Sequence, residues 1–220
     1  MGKLIAIDGL DGSGKGTQAE ILASYIKSNT NLCVCELSFP VYDSDSSTFV
    51  RMYLSGKLGR NPDDTGPYAA SMFFAADRYI SYVTDWKKDV EDGEKVILAN
   101  RYTTANAVHQ LSKLPREEWD EFLAWLIDFE FVKLSLPAPD LVIYLEMLPA
   151  DSISLVEKRG REMDIHELDR GFMERSYDAA MYASEKLGWR RIRCYDDDGI
   201  RTVDDISAEI RRVVFDELGL

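Results

Sequence analysis

An apolar run, Lys3-Leu4-Ile5-Ala6-Ile7, leads through Asp8 into Gly9-Leu10-Asp11-Gly12-Ser13-Gly14-Lys15-Gly16-Thr17, and a helix-like stretch follows over residues 18–26. Nothing else in the chain narrows the possible folds as much. Glycines at 9, 12, 14 and 16 let the backbone curl so that several N–H groups point at one anion. Lys15 adds a mobile positive charge, and the helix behind it offers its positive N-terminal end. The spacing therefore predicts a phosphate cradle built from Gly9, Gly12, Ser13, Gly14, Lys15, Gly16 and Thr17. The bland alternative, a glycine-rich turn with no ligand, has no need of a buried strand before it and a helix after it.

Short apolar runs at residues 3–8, 32–38, 95–99, 140–145 and 191–195 read as strands. Helical periodicity fills most of the space between them, near 15–28, 46–55, 67–90, 102–111, 116–133, 149–158, 167–187 and 202–217. Strands that alternate with helices predict an α/β fold with a parallel sheet covered on both faces. With the cradle after the first strand, this is a P-loop three-layer sandwich around a five-stranded sheet. The expectation is one domain over residues 1–220. Ligands of such sheets gather at the carboxyl ends of the strands, so Gly9, Phe39, Asn100 and Glu146 mark the junctions to search.

A formal net charge of -13 opposes a nucleic-acid polymer as partner, because such binding relies on Lys and Arg displacing counterions. Small anions remain possible where arginines converge. No membrane-length apolar window and no leader-like opening are present, and three cysteines fit a reducing compartment, so the expected location is the cytoplasm. Cys33 and Cys35 alternate and would share one strand face as buried thiols rather than as a metal pair. The segment from Lys158 to Asp164 is dense in charge and interrupts two helices. It reads either as a mobile excursion carrying cations or as an exposed helix end.

Arg101 follows the third strand, where its planar fork can grip a phosphate or close a salt bridge. Phe74 and Arg78 are four apart on a helix and share a face. An aromatic plane beside a guanidinium suits a nucleobase, while a core phenylalanine beside a surface arginine is the commoner arrangement. Asp196-Asp197-Asp198-Gly199 reads as a solvated acidic turn.

Taken in order, Gly9-x-Asp11-Gly12-x-Gly14-Lys15-x-Thr17-Gln18, Phe39-Pro40-x-Tyr42, Phe74-Ala75-Ala76-Asp77-Arg78, Arg101-Tyr102 and Asp164-x-x-Glu167 resemble the thymidylate kinases, over residues 3 to about 213. The resemblance implies transfer of the terminal phosphoryl group of ATP to dTMP, with magnesium and with a homodimer as the usual assembly. It implies that Lys15, Arg101, Arg159 and Arg161 are catalytic and that Asp11 and Thr17 stand near the metal. Asp11, Phe39, Pro40, Tyr42, Arg51, Phe74, Arg78, Arg101, Asn106 and Gln110 would bind the acceptor: Asp11 its sugar, Arg51 and Arg101 its phosphate, Phe74 its ring. Residues 158–166 would form the lid. Members with Gly where others carry Arg in the phosphate loop draw that cation from the lid, and Gly12 here is accompanied by Lys158, Arg159 and Arg161.

Four positions depart from the family pattern. Asn100 replaces an Asp, Val41 an arginine, and Gly16 the usual hydroxyl residue; His109 stands where an aromatic ring is typical, and a surface histidine without a role is its alternative reading. Residues 112–137, with Trp119, Trp125 and Leu126, form an apolar helical stretch expected to pack on the body or on a second subunit. The rivals are another nucleoside monophosphate kinase, of UMP/CMP or AMP type, and a kinase-derived regulatory protein that binds nucleotide without turnover. A GTPase switch lacks its base-reading Asn-Lys-x-Asp segment.

Overall fold

The computed structural model describes residues 2–158, 160 and 163–220. Along the chain the elements are β1 (Lys3–Gly9), α1 (Lys15–Asn29), β2 (Cys33–Ser38), α2 (Thr48–Leu54), α3 (Pro67–Ser81), α4 (Lys87–Glu91), β3 (Lys95–Asn100), α5 (Thr103–His109) and α6 (Trp119–Ile127). They continue with β4 (Leu141–Glu146), α7 (Pro149–Lys158), α8 (Ile165–Leu168), α9 (Arg170–Leu187), β5 (Arg190–Arg193), a small hairpin of β6 (Tyr195–Asp196) and β7 (Gly199–Ile200), and α10 (Val203–Leu218).

The five main strands form one parallel sheet in the order β2-β3-β1-β4-β5, as the strand and helix alternation predicts. Because successive side chains point to opposite faces, β1 feeds two cores at once. Ile5 and Ile7 join Leu98, Ile143 and Ile192 against Leu22 and Ile26 of α1 and Ile206, Ile210 and Val214 of α10. Leu4 and Ala6 face the other way with Ile97 and Ala99, against Trp86, Phe39 and Tyr102. A third cluster ties α5, α6 and α9 together through Leu111, Phe122, Leu123, Leu126 and Ala183. Among the described residues no helix is long and apolar enough to cross a membrane.

Three local differences from the sequence reading have physical causes. The run 67–90 is broken by a π turn over Tyr82–Trp86, and the run 116–133 ends in another over Asp128–Lys133. Each inserts a residue into the helical ladder, the first in its middle and the second at its end, which 3.6-residue counting averages away. Cys33 is exposed and Cys35 only partly buried, not a pair of core thiols, because β2 is an edge strand. The acidic turn lies between paired β6 and β7, with the Asp198 amide donating to Asp196 Oδ1 at 2.9 Å.

Candidate active site

Gly9, Asn100 and Phe39 all emerge from the carboxyl edge of the sheet, and a cleft of about 460 Å³ opens there. At one end stands the glycine loop. Gly12 and Gly14 hold φ of 92° and 82°, left-handed values that a side chain disfavours, and Gly14 caps α1. A β-carbon on Gly12 would sit 2.5 Å from the Ser152 carbonyl oxygen on α7. The Ser152 hydroxyl in turn donates to the Asp11 carbonyl, so loop and helix are clasped. Under the loop, the fully buried Asp8 accepts from the Gly9 amide at 2.8 Å and the Thr104 hydroxyl at 2.6 Å.

Lys15 is nearly buried, donates to the Leu10 carbonyl at 3.1 Å and lies 3.6 Å from Asp11. Arg101 faces it across Asp11. Its backbone is left-handed at φ 66°, a strained value for a non-glycine residue at the mouth of the sheet. One guanidinium arm donates to Asp11 and the other to His109 Nε2 at 3.0 Å. Burial alone would raise the Asp11 carboxyl, but Arg101 and Lys15 hold it well below the usual carboxylate range. Since a guanidinium only donates, His109 Nε2 must accept, so the ring is neutral with its proton assigned to Nδ1. Burial, helped by Arg101, pushes the His109 pKa down to about 3. His109 is thus a buried cleft residue and not a surface histidine.

The far end of the cleft is made of side chains. Phe74 and Arg78 both line it, as their spacing on one helical face predicts. The Arg78 guanidinium lies 5.6 Å from the Phe39 ring and 5.3 Å from the Tyr102 ring, and it forks onto Glu130 at 2.7 and 2.9 Å. Glu130 also accepts from Thr103 Oγ1 at 2.7 Å and from Asn106 Nδ2 at 3.0 Å. With its amino group so engaged, Asn106 turns a carbonyl oxygen that meets no hydrogen-bond partner among the described residues, and the Gln110 side chain lines the cleft beside it, against Tyr53. Pro40 and Tyr42 line the entrance, and Asp77 secures their loop by accepting from the Val41 amide at 2.9 Å and the Ser46 hydroxyl at 2.5 Å.

Gly14, Gly16 and Thr17 line the glycine-loop end of the cleft, while Gly9, Gly12 and Ser13 stand behind it as loop structure. Asn100 also faces the cleft, its amino group donating to Ser38 Oγ at 3.2 Å. Arg51 does not line the cleft. It gathers the carbonyls of Tyr42 and Ser44, at 2.6 and 2.7 Å, together with the Ser47 and Thr48 hydroxyls. Arg159 and Arg161 lie outside the described residues. Asp8, Asp77, Glu130 and His166 were not singled out from sequence; only Asp77, inside the Phe74 to Arg78 motif, had a local signal. Asp164 also lines the cleft and caps α8 through the amides of His166 and Glu167, and burial raises its carboxyl to about 6.

A P-loop after the central strand of a parallel sheet, opening on a cleft with a second, side-chain-lined end, defines a P-loop nucleotide kinase. The thymidylate kinase family profile matches residues 7–192. The thymidylate kinase of Mycobacterium tuberculosis strain H37Rv is 30% identical over 197 residues, covering 84% of this chain and 87% of its own. A probable thymidylate kinase 1 of Saccharolobus solfataricus is 31% identical over 157 residues, 71% of each chain, and a probable thymidylate kinase of Methanococcus maripaludis strain C6 is 26% identical over 220 residues, 99% and 94%. The chain belongs to the thymidylate kinase family. It is an ATP-dependent nucleoside monophosphate kinase, and the comparisons do not favour the UMP/CMP, AMP or regulatory alternatives.

Proposed function

We propose that the enzyme transfers the γ-phosphoryl group of ATP to dTMP, giving dTDP and ADP, within one domain whose residues 158–166 act as the lid. The observation that carries this reading is the single cleft with the glycine loop at one end, Phe74, Arg78 and Asn106 at the other, and Arg101 between them. The loop amides and Lys15 hold the ATP phosphates. Phe74 stacks on the thymine ring, the unpartnered Asn106 carbonyl accepts from its ring N–H, and Arg78, still carrying N–H groups beyond those on Glu130, donates to a ring carbonyl. Arg101 keeps further N–H groups for the acceptor phosphate, and Asp11, held ionised, accepts from the sugar hydroxyl. Phe39, Pro40, Tyr42 and Gln110 complete the pocket, and Arg51 acts by shaping its entrance loop.

Catalysis here is positioning plus neutralisation of charge on the migrating group, with Lys15, Arg101, Arg159 and Arg161 as the cations and the lid excluding water. The oxygen ligands Thr17 and Asp11 both face the cleft and suit a magnesium ion that keeps most of its waters. When bound, that ion neutralises phosphate charge. A cytoplasmic homodimer fits the exposed apolar side chains of Met72, Tyr79, Ile80, Val83 and Val132 on and beside α3 and after α6. A coupled assay across nucleoside monophosphates tests the substrate: dTMP should be turned over well ahead of UMP, CMP and AMP. Equal rates on these, or none on dTMP, would end the proposal.

A further inference from the structure

Lys113 follows α5 in a short 3-10 turn, away from the cleft, and its side chain runs back beneath α2. Its Nζ donates to Tyr53 Oη at 2.8 Å and to the Thr65 carbonyl at 3.0 Å, and lies 4.8 Å from the centre of the Tyr53 ring. No carboxylate among the described residues comes within ion-pair distance of it. Asp63 acts on it only from farther off and is itself paired with Arg175 at 2.8 Å. A partly buried ammonium without a counterion is costly, and nothing in the phosphoryl transfer uses it.

Tyr53 explains what it does. The Tyr53 oxygen lies 2.7 Å from His166 Nε2. An ammonium can only donate, so the tyrosine oxygen accepts the Lys113 hydrogen bond and its own O–H is left for His166; the Pro62 carbonyl, at 3.4 Å, competes poorly. The buried Tyr53 ring also meets Phe74 edge-on, with centroids 6.2 Å apart, and His166 at 5.3 Å. Phe74 and His166 line the cleft and Tyr53 stands behind both. Lys113 therefore reaches two cleft side chains that it does not touch.

We propose that Lys113 is a positioning residue for the acceptor nucleotide: its ammonium orients Tyr53, which holds His166 and Phe74 in the cleft wall. This rests on the reading of Phe74 as the platform for the acceptor base. It also carries a pH dependence. Burial pushes Lys113 down to about 7, against the pull of Asp63. Above that value the amine lone pair competes with His166 for the tyrosine hydrogen. The groups facing this chain are Asp63 and Arg175 on one side and His109, Asp164, Asp11 and Arg101 on the other; both histidines are neutral through this range and Asp164, raised to about 6, is mostly ionised by pH 7, so the change above pH 7 is the lysine's.

The test is steady-state kinetics from pH 6 to 9 on wild type, Lys113→Met, Lys113→Arg and Tyr53→Phe, with folding checked by thermal melts. At pH 6.5, Lys113→Met and Tyr53→Phe should raise the KM for dTMP about ten-fold with kcat and the KM for ATP within about two-fold, and the double variant should add little. Lys113→Arg, charged throughout, should restore a low KM. The KM for dTMP should climb above pH 7 in wild type and stay flat in both Lys113 variants. An unchanged KM in Lys113→Met, an equal rise in the KM for ATP, or a wild-type pH profile retained in Lys113→Met would overturn the proposal while leaving the substrate reading intact. No turnover of dTMP by wild type would overturn both. If Lys113→Met does not fold, Tyr53→Phe and Lys113→Arg carry the same outcomes.

Discussion

The two ends of the cleft are built from different materials. At the glycine-loop end, the proposed donor end, the groups on offer are main-chain amides shaped by left-handed glycines, with one lysine among them. At the acceptor end they are side chains, and each owes its direction to a second residue behind it: Arg78 and Asn106 to Glu130, Phe74 and His166 to Tyr53, the Tyr42 loop to Asp77 and Arg51. A backbone cradle grips any triphosphate and carries little information about the rest of the ligand. Recognition of one base has to be written in side chains, and their support reaches deep into the protein.

If that contrast holds, substitutions should fail in different ways at the two ends. Lys15→Ala should lower kcat by about 10³-fold or more while leaving the melting temperature nearly unchanged, because the loop conformation depends on glycines and amides; survival of most of the activity would break the donor half of the comparison. Glu130→Ala should do the reverse and cost stability first. It strands the buried Arg78 guanidinium, whose side chain is 2% exposed, and should destabilise the fold by about 3–5 kcal/mol in chemical denaturation and weaken dTMP binding.

Acid should also act mainly at the acceptor end. His109 is held near 3 against an ordinary 6.5, and His166 is shifted the same way by burial and by His109, so the unfolded chain takes up protons before the native one. Their contribution is full above pH 6.5 and is lost as pH falls toward 3. Asp164, raised to about 6 from 3.8, runs oppositely over part of that window, since its contribution is present at low pH and lost as pH rises through 6. Denaturation curves should show a net loss of stability between pH 6.5 and 4, flattened in a His109→Gln, His166→Gln double variant. The smallest effect is expected at Gly16, whose backbone is not left-handed and whose added β-carbon would meet Asn100 Nδ2 at an ordinary 3.7 Å. Gly16→Ser should change stability by less than about 0.5 kcal/mol and leave turnover within about three-fold.

Much of the donor end was legible in the sequence because it is local: strand, glycine loop and helix are consecutive, and the main-strand boundaries fall within two residues of the periodicity. Phe74 and Arg78 were legible as neighbours on one face, and the resemblance set them in a pocket. What could not be read were partnerships across distance. Glu130 is one of six acids in the stretch 112–137, with nothing in the sequence to set it apart, and a π turn places it where no helical count would, opposite an arginine 52 positions away. Arg51 has the right composition for a phosphate clamp, but its direction depends on carbonyls of a loop whose path no spacing rule supplies. Lys113 looked like one more lysine.

The contact between Gly12 and the Ser152 carbonyl has a historical consequence. An arginine entering position 12 by a single codon change would begin 2.5 Å from a helix backbone, so that route is closed unless α7 first withdraws. The lineage is committed by its packing, and any positive charge over the donor phosphates has to be inherited through another part of the chain.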